Sequence, residues 1–313
     1  MRHSVFLGFP GNSMSFATSW ALWKATNGSH DITVANSAGS WDNFNSLWAT
    51  AINAKEAGTV DMTAQMHGDI EVKMPDSATS SPSTPHWLDI CLEEMERRDL
   101  AILSVAIPIK DHRGVLSCGI GDPADPWQPF RRLTMYELAQ LPETFDAADI
   151  AEVHGHHRGY YDGHPLLHNN GLFVADLRNP VFHRTDANGD LVCCFNFPKK
   201  IGRKGGRWRV FGESEDWFFS RAVALPGART AITKKIRLDH KDGGTPYPNY
   251  GVWGSMQHDE HTTEKWKERE AREQVQQRET AASMQCDYYI GASPENGQFG
   301  FREVPGALTE VCV

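Results

Sequence analysis

The first 72 residues constrain the fold more than any other part of the chain, because apolar and amphipathic stretches alternate in them. Residues 4–9 and 31–35 are short apolar runs typical of strands, whereas residues 14–25 and 41–54 carry apolar side chains at helical spacing. A third apolar stretch, residues 59–72, follows the second helix. This order is typical of a parallel sheet with crossover helices. The sequence therefore predicts an α/β fold.

The third apolar stretch is interrupted by a polar tip, His67-Gly68-Asp69. Gly68 has no side chain and lets the backbone approach a ligand closely. Asp69 supplies a hard carboxylate oxygen, and His67 supplies an imidazole. Because ligands of open α/β sheets bind beyond the carboxyl ends of the strands, we expect this tip to lie in a binding site.

The loop after the first strand, which begins Phe9-Pro10-Gly11, is the second expected contact with a nucleotide. It follows a predicted parallel strand, so it should open at the same edge of the sheet as the tip. It has neither the glycines of a dinucleotide-binding loop nor those of a P-loop. The sequence therefore predicts a nucleotide site of another kind.

The rest of the chain predicts one large domain with an appendage. Residues 1–255 form the domain, with a nucleotide half of about 1–110 and an acceptor half of about 111–255, and residues 256–313 form a charged helix and tail. The further predicted helices are residues 87–98 and 213–223, with 134–141 a short helix or strand. The further predicted strands are 100–109, 172–176, 191–197 and 231–238, while 114–129 and 199–209 are expected to be loops.

Composition excludes several classes of protein. The formal net charge is -9, which disfavours a uniformly basic nucleic-acid binder but not a local basic surface. The six cysteines form no CxxC pair, which favours a reduced, cytoplasmic compartment. No apolar run approaches the ~20 residues that cross a bilayer, so we expect no membrane association.

Four motifs, taken together and in order, resemble small GT-A glycosyltransferases of the family-2-like type found in bacteria and phages. In that family a strand ends in an Asp-x-Asp tip, and MHGDI stands at that place with His67 instead of the first Asp. A helix and apolar strand follow, WLDICLEEMERRDLAILSVAIPIK, and then a strand, LFVADLRNPVF. Glu215-Asp216-Trp217-Phe218-Phe219 matches the Glu-Asp-x-x-Phe motif that opens a helix, and IRLDHKDG ends the series with His240. The resemblance runs from about Ser4 to Gly244.

The resemblance implies a GT-A-like (Rossmann-like) mixed central sheet and transfer of a sugar from a nucleotide-diphosphate sugar, most simply a UDP-sugar, to a hydroxyl acceptor. A divalent cation, Mn²⁺ or Mg²⁺, would stabilise the diphosphate leaving group. Asp69 and His240 would hold it, and His67 would be either a third ligand or a hydrogen-bond partner of the ribose or diphosphate; a histidine ligand favours Mn²⁺. Asp216 matches the family's general base, with Glu215 as the near alternative, and such a base fits inversion of configuration.

A basic, glycine-rich segment before the candidate base indicates an anionic acceptor. Arg203, Lys204, Arg207 and Trp208 combine cations with an aromatic ring, and Trp217 follows the candidate base. Cations beside aromatic side chains suit unpaired nucleobases, so a hydroxymethylated base in DNA is one acceptor this segment would fit. A solvated charged loop is the simpler alternative.

Two other hypotheses stay open. Five histidines, His154, His156, His157, His164 and His168, lie near Glu152 and Asp162, which suggests a metal-dependent hydrolase or nuclease. No HExxH spacing supports that hypothesis. The other is a non-catalytic sugar-nucleotide or DNA-binding protein, for which the missing first Asp at position 67 is the support.

Overall fold

The computed structural model describes residues 3–10, 31–37, 43–73, 86–123, 129–204, 206–255, 275, 289–292 and 299–302. The strands in these residues are β1 (Ser4–Pro10), β2 (Asp31–Ser37), β3 (Met62–Met66), β4 (Ile70–Val72), β5 (Ile102–Val105), β6 (Val115–Gly121), β7 (Pro129–Thr134), β8 (Thr144–Phe145), β9 (Leu166–Leu167), β10 (Leu172–Asp176), β11 (Lys199–Lys204), β12 (Arg207–Gly212), β13 (Thr230–Thr233), β14 (Leu238–Asp242), β15 (Thr245–Pro248), β16 (Tyr289–Ala292) and β17 (Phe299–Arg302). The α-helices are α1 (Asn43–Glu56), α2 (Trp87–Arg98), α3 (Met135–Gln140), α4 (Ala147–Val153) and α5 (Glu215–Ala224).

A seven-stranded mixed sheet in the order β2-β1-β3-β10-β5-β13-β8 organises the fold. The first three strands are parallel, as the alternation of strands and helices predicts. β10 then runs antiparallel between β3 and β5. Because of this reversal, the residues before β10 lie at the carboxyl end of β3. The mixed α/β class is confirmed.

Helices cover both faces of this sheet. α2 packs on one face, over a core that includes Leu7, Ala64 and Leu103. α1 and α5 pack on the other face, where Trp48 and Phe219 meet edge to face with their ring centroids 5.0 Å apart. Met62, Ala64 and Met66 of β3 belong to the first core, and the alternate residues Thr63 and Gln65 are buried as well, as expected for a strand covered on both faces.

Four of the predicted elements differ from the structure. Residues 231–238, predicted as one strand, are divided between β13, which ends at Thr233, and β14, which begins at Leu238. Residues 115–121 form a strand although glycines predicted a loop, because the backbone of Arg131 in β7 lies where a Cβ of Gly119 would be. Residues 199–204 and 207–212 form a hairpin rather than a loop. Residues 191–197 form no strand, since the Phe195 backbone N–H donates to the Asn45 side chain instead of a neighbouring strand.

Contacts within the chain divide it into two compact units, Met1–Met256 and Gln257–Val313. The predicted helix of residues 14–25, the loop from Gly11 to Ser13 and nearly all of the predicted charged helix lie outside the described residues. Among the helices that the structure describes, none is both long and apolar enough to cross a bilayer.

Candidate functional site

The polar tip at the end of β3 lies beside a histidine from the other half of the domain. β14 pairs antiparallel with β4, and this register places His240 opposite Ile70. The backbone N–H of Lys241 donates to the Asp69 carbonyl at 2.8 Å. The Nε2 of His240 is consequently 3.4 Å from Asp69 Oδ2. The structure therefore brings together Asp69 and His240, which are 171 residues apart in the sequence.

Asp69 carries a negative charge in this arrangement. Burial alone would raise its pKa, but hydrogen bonds with His240 and Lys110 outweigh burial and hold the pKa well below its usual range. The Lys110 ammonium forms an ion pair with Oδ2. Oδ1 is buried and has no hydrogen-bond partner in the described part of the chain. The tip is thus an ionised carboxylate with one oxygen open to a further donor or cation.

His67 is neutral and stands over the same carboxylate. Burial lowers its pKa to about 4. Its Nδ1 is 3.9 Å from Asp69 Oδ1, and its ring packs on Phe44 at 4.9 Å between centroids. Its Nε2 is buried and has no hydrogen-bond partner in the described residues. An uncharged imidazole with an unused nitrogen suits a metal or a phosphate oxygen.

The residues of the tip fit a divalent cation. The Nδ1 of His240 lies 2.7 Å from the carbonyl of Pro108, which only accepts hydrogen bonds, so Nδ1 carries a proton while Nε2 faces the Asp69 carboxylate. Fixing one histidine nitrogen on a carbonyl is the usual support of a metal ligand. No group of three His, Cys, Asp or Glu side chains within the described residues is already in metal-binding geometry. A cation at Asp69 would displace the Lys110 ammonium, because both are positive.

Asp216 lies in the first turn of α5 and is almost fully buried, with 8% of its surface exposed. Asn169 Nδ2 donates to its Oδ2 at 3.0 Å. Burial and, to a smaller extent, the neighbouring Glu215 carboxylate raise the pKa of Asp216 to about 8. Glu215 is more exposed, and burial raises its pKa as well. The pKa of Asp216 thus suits exchange of a proton near neutral pH.

A short chain of hydrogen bonds joins the tip to Asp216. The backbone N–H of His67 donates to the Gly171 carbonyl at 2.8 Å. The N–H of Gly171 donates to Asn169 Oδ1 at 2.5 Å, and the amide of Asn169 then donates to Asp216. The two predicted groups of site residues are therefore connected through the residues just before β10.

Buried polar atoms without partners surround this connection. The ring nitrogens of His168 and the side-chain amide of Asn170 are buried and make no hydrogen bond of ordinary geometry in the described part of the chain, although Asn170 lies near enough to His168 and Asp216 to shift the pKa of each. Burial lowers the pKa of His168 to about 4, so this ring is neutral. Unsatisfied buried polar groups are rare in folded proteins and commonly mark a site for a ligand or water.

The predicted donor loop is described only at its start. β1 is parallel to β3, with Gly8 opposite Gln65, so Phe9 and Pro10 reach the same edge of the sheet as the tip. The Phe9 side chain is buried in the core. Gly11 and the side chain of Pro10 lie outside the description.

The predicted acceptor residues separate into two groups. Trp217 is buried next to Asp216, and the guanidinium of Arg132 lies 4.4 Å above its ring. Arg203 and Trp208 lie instead on the exposed hairpin β11–β12. Lys204 and Arg207 occupy facing positions near its turn, and their side chains lie outside the described residues.

The five histidines of residues 154–168 form no metal-binding group in the described residues, although three of them lie around the ring of Tyr161. His154 is buried, with Nδ1 2.8 Å from the Tyr161 hydroxyl and Nε2 3.1 Å from Glu137. His156 stacks on Tyr160 at 3.8 Å between centroids. His168 lies at the other end of the segment, beside Ser220 of α5. This geometry gives no support to a metal-dependent hydrolase.

Sequence reasoning missed four residues of the site: Lys110, Arg132, Asn169 and Asn170. Lys110 ends the apolar stretch of residues 100–109, a position where α/β sheets carry ligand contacts. The two asparagines precede Gly171 and β10, and the amides before a buried strand are the signal that would have found them. Arg132 lies in β7, and no local pattern distinguishes it.

Comparisons with known proteins add little to this geometry. No family model matches the sequence, and no curated protein matches it. Among solved structures, the crystal structure of A197 from STIV aligns with 82% of this chain and 99% of its own, at 10% identity and a TM-score of 0.40. That TM-score is too low to support an inference about fold or function.

Proposed function

We propose that this protein is a metal-dependent glycosyltransferase that moves a sugar from a nucleotide-diphosphate sugar to a hydroxyl acceptor. The chain of hydrogen bonds from the tip to Asp216 carries this proposal. It joins an ionised carboxylate and its two neighbouring histidines to a buried carboxyl whose pKa is raised to about 8. Leaving-group stabilisation and proton removal are the two tasks that glycosyl transfer requires. The order of motifs that resembles GT-A enzymes supports the same reaction.

Three residues would hold the cation: Asp69, His240 and His67. When bound, a divalent cation neutralises charge on the departing diphosphate. The residues around the cation would bind and orient the donor. His240 is fixed through Pro108, and Lys110 provides a positive charge that can turn from Asp69 to a phosphate oxygen. The position of Lys110 would therefore depend on whether a cation is bound to Asp69.

Asp216 would act as the general base. The acceptor oxygen forms a bond to the anomeric carbon, the bond from that carbon to the diphosphate breaks, and the acceptor proton passes to Asp216. Asn169 orients the carboxyl through its 3.0 Å hydrogen bond, leaving Oδ1 for the acceptor hydroxyl. Attack from the side opposite the leaving group inverts the anomeric centre.

The first test is release of nucleoside diphosphate from UDP-sugars and other nucleotide sugars, with and without Mn²⁺. We expect turnover with one donor to require metal, and Asp69→Ala and His240→Ala each to reduce it at least about 100-fold. Asp61→Ala and His183→Ala are matched controls. Asp61 pairs with Lys55 at the opposite end of β3, and His183 also holds a backbone carbonyl through one ring nitrogen.

Two results would overturn this proposal. In one, the Asp69 and His240 variants turn over every donor at the wild-type rate. In the other, no donor is turned over, but Zn²⁺ binds tightly and its binding is lost in His156→Ala and His157→Ala. The second result would favour the hydrolase. Donor binding without any turnover would favour a non-catalytic sugar-nucleotide protein.

A further inference from the structure

The hairpin β11–β12 concentrates positive charge in an otherwise acidic protein. Six of the fourteen residues from 199 to 212 are Lys or Arg, and none is Asp or Glu. The whole chain has a net charge of -9, so with +6 on the hairpin the remaining residues carry -15. A net negative charge disfavours polyanion binding over most of a surface, so a segment with this density of positive charge is a favoured place for a polyanion.

One face of the hairpin is apolar and exposed. Ile201 faces Val210, and Arg203 faces Trp208, and these two pairs share one side because they are separated by two residues along each strand. Ile201, Val210 and Trp208 are 71%, 69% and 66% exposed. The Arg203 guanidinium lies 4.7 Å above the Trp208 ring. This face presents a flat aromatic ring that is flanked by a cation and bordered by aliphatic side chains.

The chemistry of this face favours unpaired nucleotides over other polyanions. Phosphates bind Lys and Arg, while bases stack on aromatic rings, which requires that the bases be unpaired. Exposed Ile, Val and Trp side chains have no favourable contact with the phosphates of a duplex or with an acidic polysaccharide. Lysine is depleted in protein interfaces, yet the hairpin has three, Lys199, Lys200 and Lys204.

The hairpin is attached close to Asp216. The backbone N–H of Glu213 donates to the Pro198 carbonyl at 3.2 Å, which closes the hairpin at its root. Only three residues separate Gly212, the last residue of β12, from Asp216. Four residue steps span at most roughly 14 Å. A single-stranded nucleic acid bound along the hairpin would therefore reach Asp216, the candidate general base, within a few nucleotides.

We propose that the exposed face of hairpin β11–β12 binds single-stranded nucleic acid and presents one of its hydroxyl-bearing nucleotides as the acceptor. Binding by the hairpin stands on the hairpin alone, whereas the acceptor role rests on the proposed glycosyl transfer. The nucleotide and its sequence are read elsewhere, since stacking on Trp208 and charge on the hairpin are indifferent to sequence.

The test is fluorescence anisotropy of a labelled 20-nucleotide DNA of mixed sequence, without donor or metal, over a series of salt concentrations. Trp208→Ala should weaken binding about 5- to 100-fold, the range for loss of one stacked base. Lys199→Ala and Lys200→Ala should each flatten the dependence of log K on log salt by about 0.7, as expected for single-stranded binding. Because Trp208 is exposed, its replacement leaves the core intact, which a thermal melt verifies.

The matched control is the double variant Arg237→Ala/Tyr250→Ala. It removes another cation above an aromatic ring, 5.8 Å apart and outside the hairpin, and it should leave DNA binding unchanged. The inference is overturned if duplex DNA or heparin binds as tightly as the single strand, or if Trp208→Ala has no effect. It is equally overturned if hairpin variants change the mass of the protein in solution and not its DNA affinity.

The two proposals fail in different ways. Turnover on a small hydroxyl acceptor without single-strand binding would contradict the hairpin inference and leave glycosyl transfer standing. Single-strand binding that depends on Trp208, without any turnover, would leave the hairpin inference standing and contradict the transfer.

Discussion

Asp216 shows two opposing effects on one carboxyl. It lies at the start of α5, where the helix dipole stabilises negative charge by about 0.3–1 kcal/mol. Burial acts in the opposite direction and raises the pKa to about 8, a change worth several kcal/mol. Burial therefore dominates. The sequence pattern that explains an acid at a helix start does not explain an acid that is kept protonated at neutral pH.

The first prediction concerns the pH dependence of Asp216. Since a base must be deprotonated, kcat/KM should rise with pH up to about 8 and then level off, measured from pH 5.5 to 9.5. Asp216→Asn should reduce kcat by roughly 100- to 10,000-fold at the plateau. The control is Asp149→Asn, which alters another buried acid in a first helical turn. A wild-type profile flat from pH 6 to 9 would contradict the role of Asp216.

Stability should change in the opposite sense to activity. Because folding raises the pKa of Asp216, the unfolded chain ionises first, and wild-type stability falls as pH rises from about 4 to about 8. The amide in Asp216→Asn does not ionise, so the variant lacks this loss of stability with rising pH. The urea midpoint of the variant relative to wild type should therefore increase between pH 5 and pH 8.5. Equal midpoint differences at both values would show that the carboxyl is not protonated in the folded protein.

The second prediction concerns Lys110, which competes with a cation for Asp69. Removing the ammonium in Lys110→Ala should strengthen Mn²⁺ binding several-fold without donor, because the carboxylate loses a positive neighbour. The same change should weaken binding of the nucleoside diphosphate about 10-fold, because a phosphate contact is lost. Calorimetry measures both, and Lys55→Ala, which frees Asp61, is the control. Weaker Mn²⁺ binding in Lys110→Ala would contradict this competition.

At the scale of elements, the start of β10 determines the site. β10 is antiparallel to β3, and this brings Asn169 and Gly171 to the carboxyl end of β3. A Cβ at Gly171 would lie 2.6 Å from Asn169 Oδ1 and 2.7 Å from Ile107 Cδ1. Both distances are shorter than ordinary contacts, so a side chain at this position displaces Asn169.

The third prediction is therefore that Gly171→Ala separates the tip from Asp216. We expect kcat to fall at least about 10-fold, because a small displacement of a positioning residue has large effects on catalysis. Mn²⁺ binding, which depends on the tip alone, should change less than twofold. Gly244→Ala is the control, since nothing lies within 4 Å of its added Cβ. Unchanged kcat in Gly171→Ala would show that Asn169 does not orient the base.

Local signals predicted elements better than connections between them. The boundaries of α2 and β10 follow from the pattern of apolar residues, and the tip at the end of β3 follows from the polar residues that interrupt an apolar stretch. The contacts of Lys110 with Asp69 and of Asn169 with Asp216 span 41 and 47 residues. They depend on how strands pair, and no local pattern specifies pairing across such distances. Glycines also led to a wrong prediction of a loop at residues 115–121, where Gly119 instead allows two strands to lie close together.

At the scale of the whole molecule, the site and the hairpin lie within the unit Met1–Met256. The hairpin β11–β12 of this unit is basic, whereas the rest of the chain is acidic. The tip itself balances charges locally, with one ionised carboxylate, one lysine and two histidines. A divalent cation and an anionic donor that bind together would replace this local balance of charges. The cation and donor should therefore bind cooperatively.

The most direct test is to titrate the protein with Mn²⁺ and follow free Mn²⁺ by electron paramagnetic resonance, with and without UDP. We predict that UDP strengthens Mn²⁺ binding at least about 10-fold and that Asp69→Ala and His240→Ala abolish the gain, while Asp61→Ala retains it. Mn²⁺ binding that is indifferent to UDP, or that persists in Asp69→Ala, would contradict a donor site at the tip of β3.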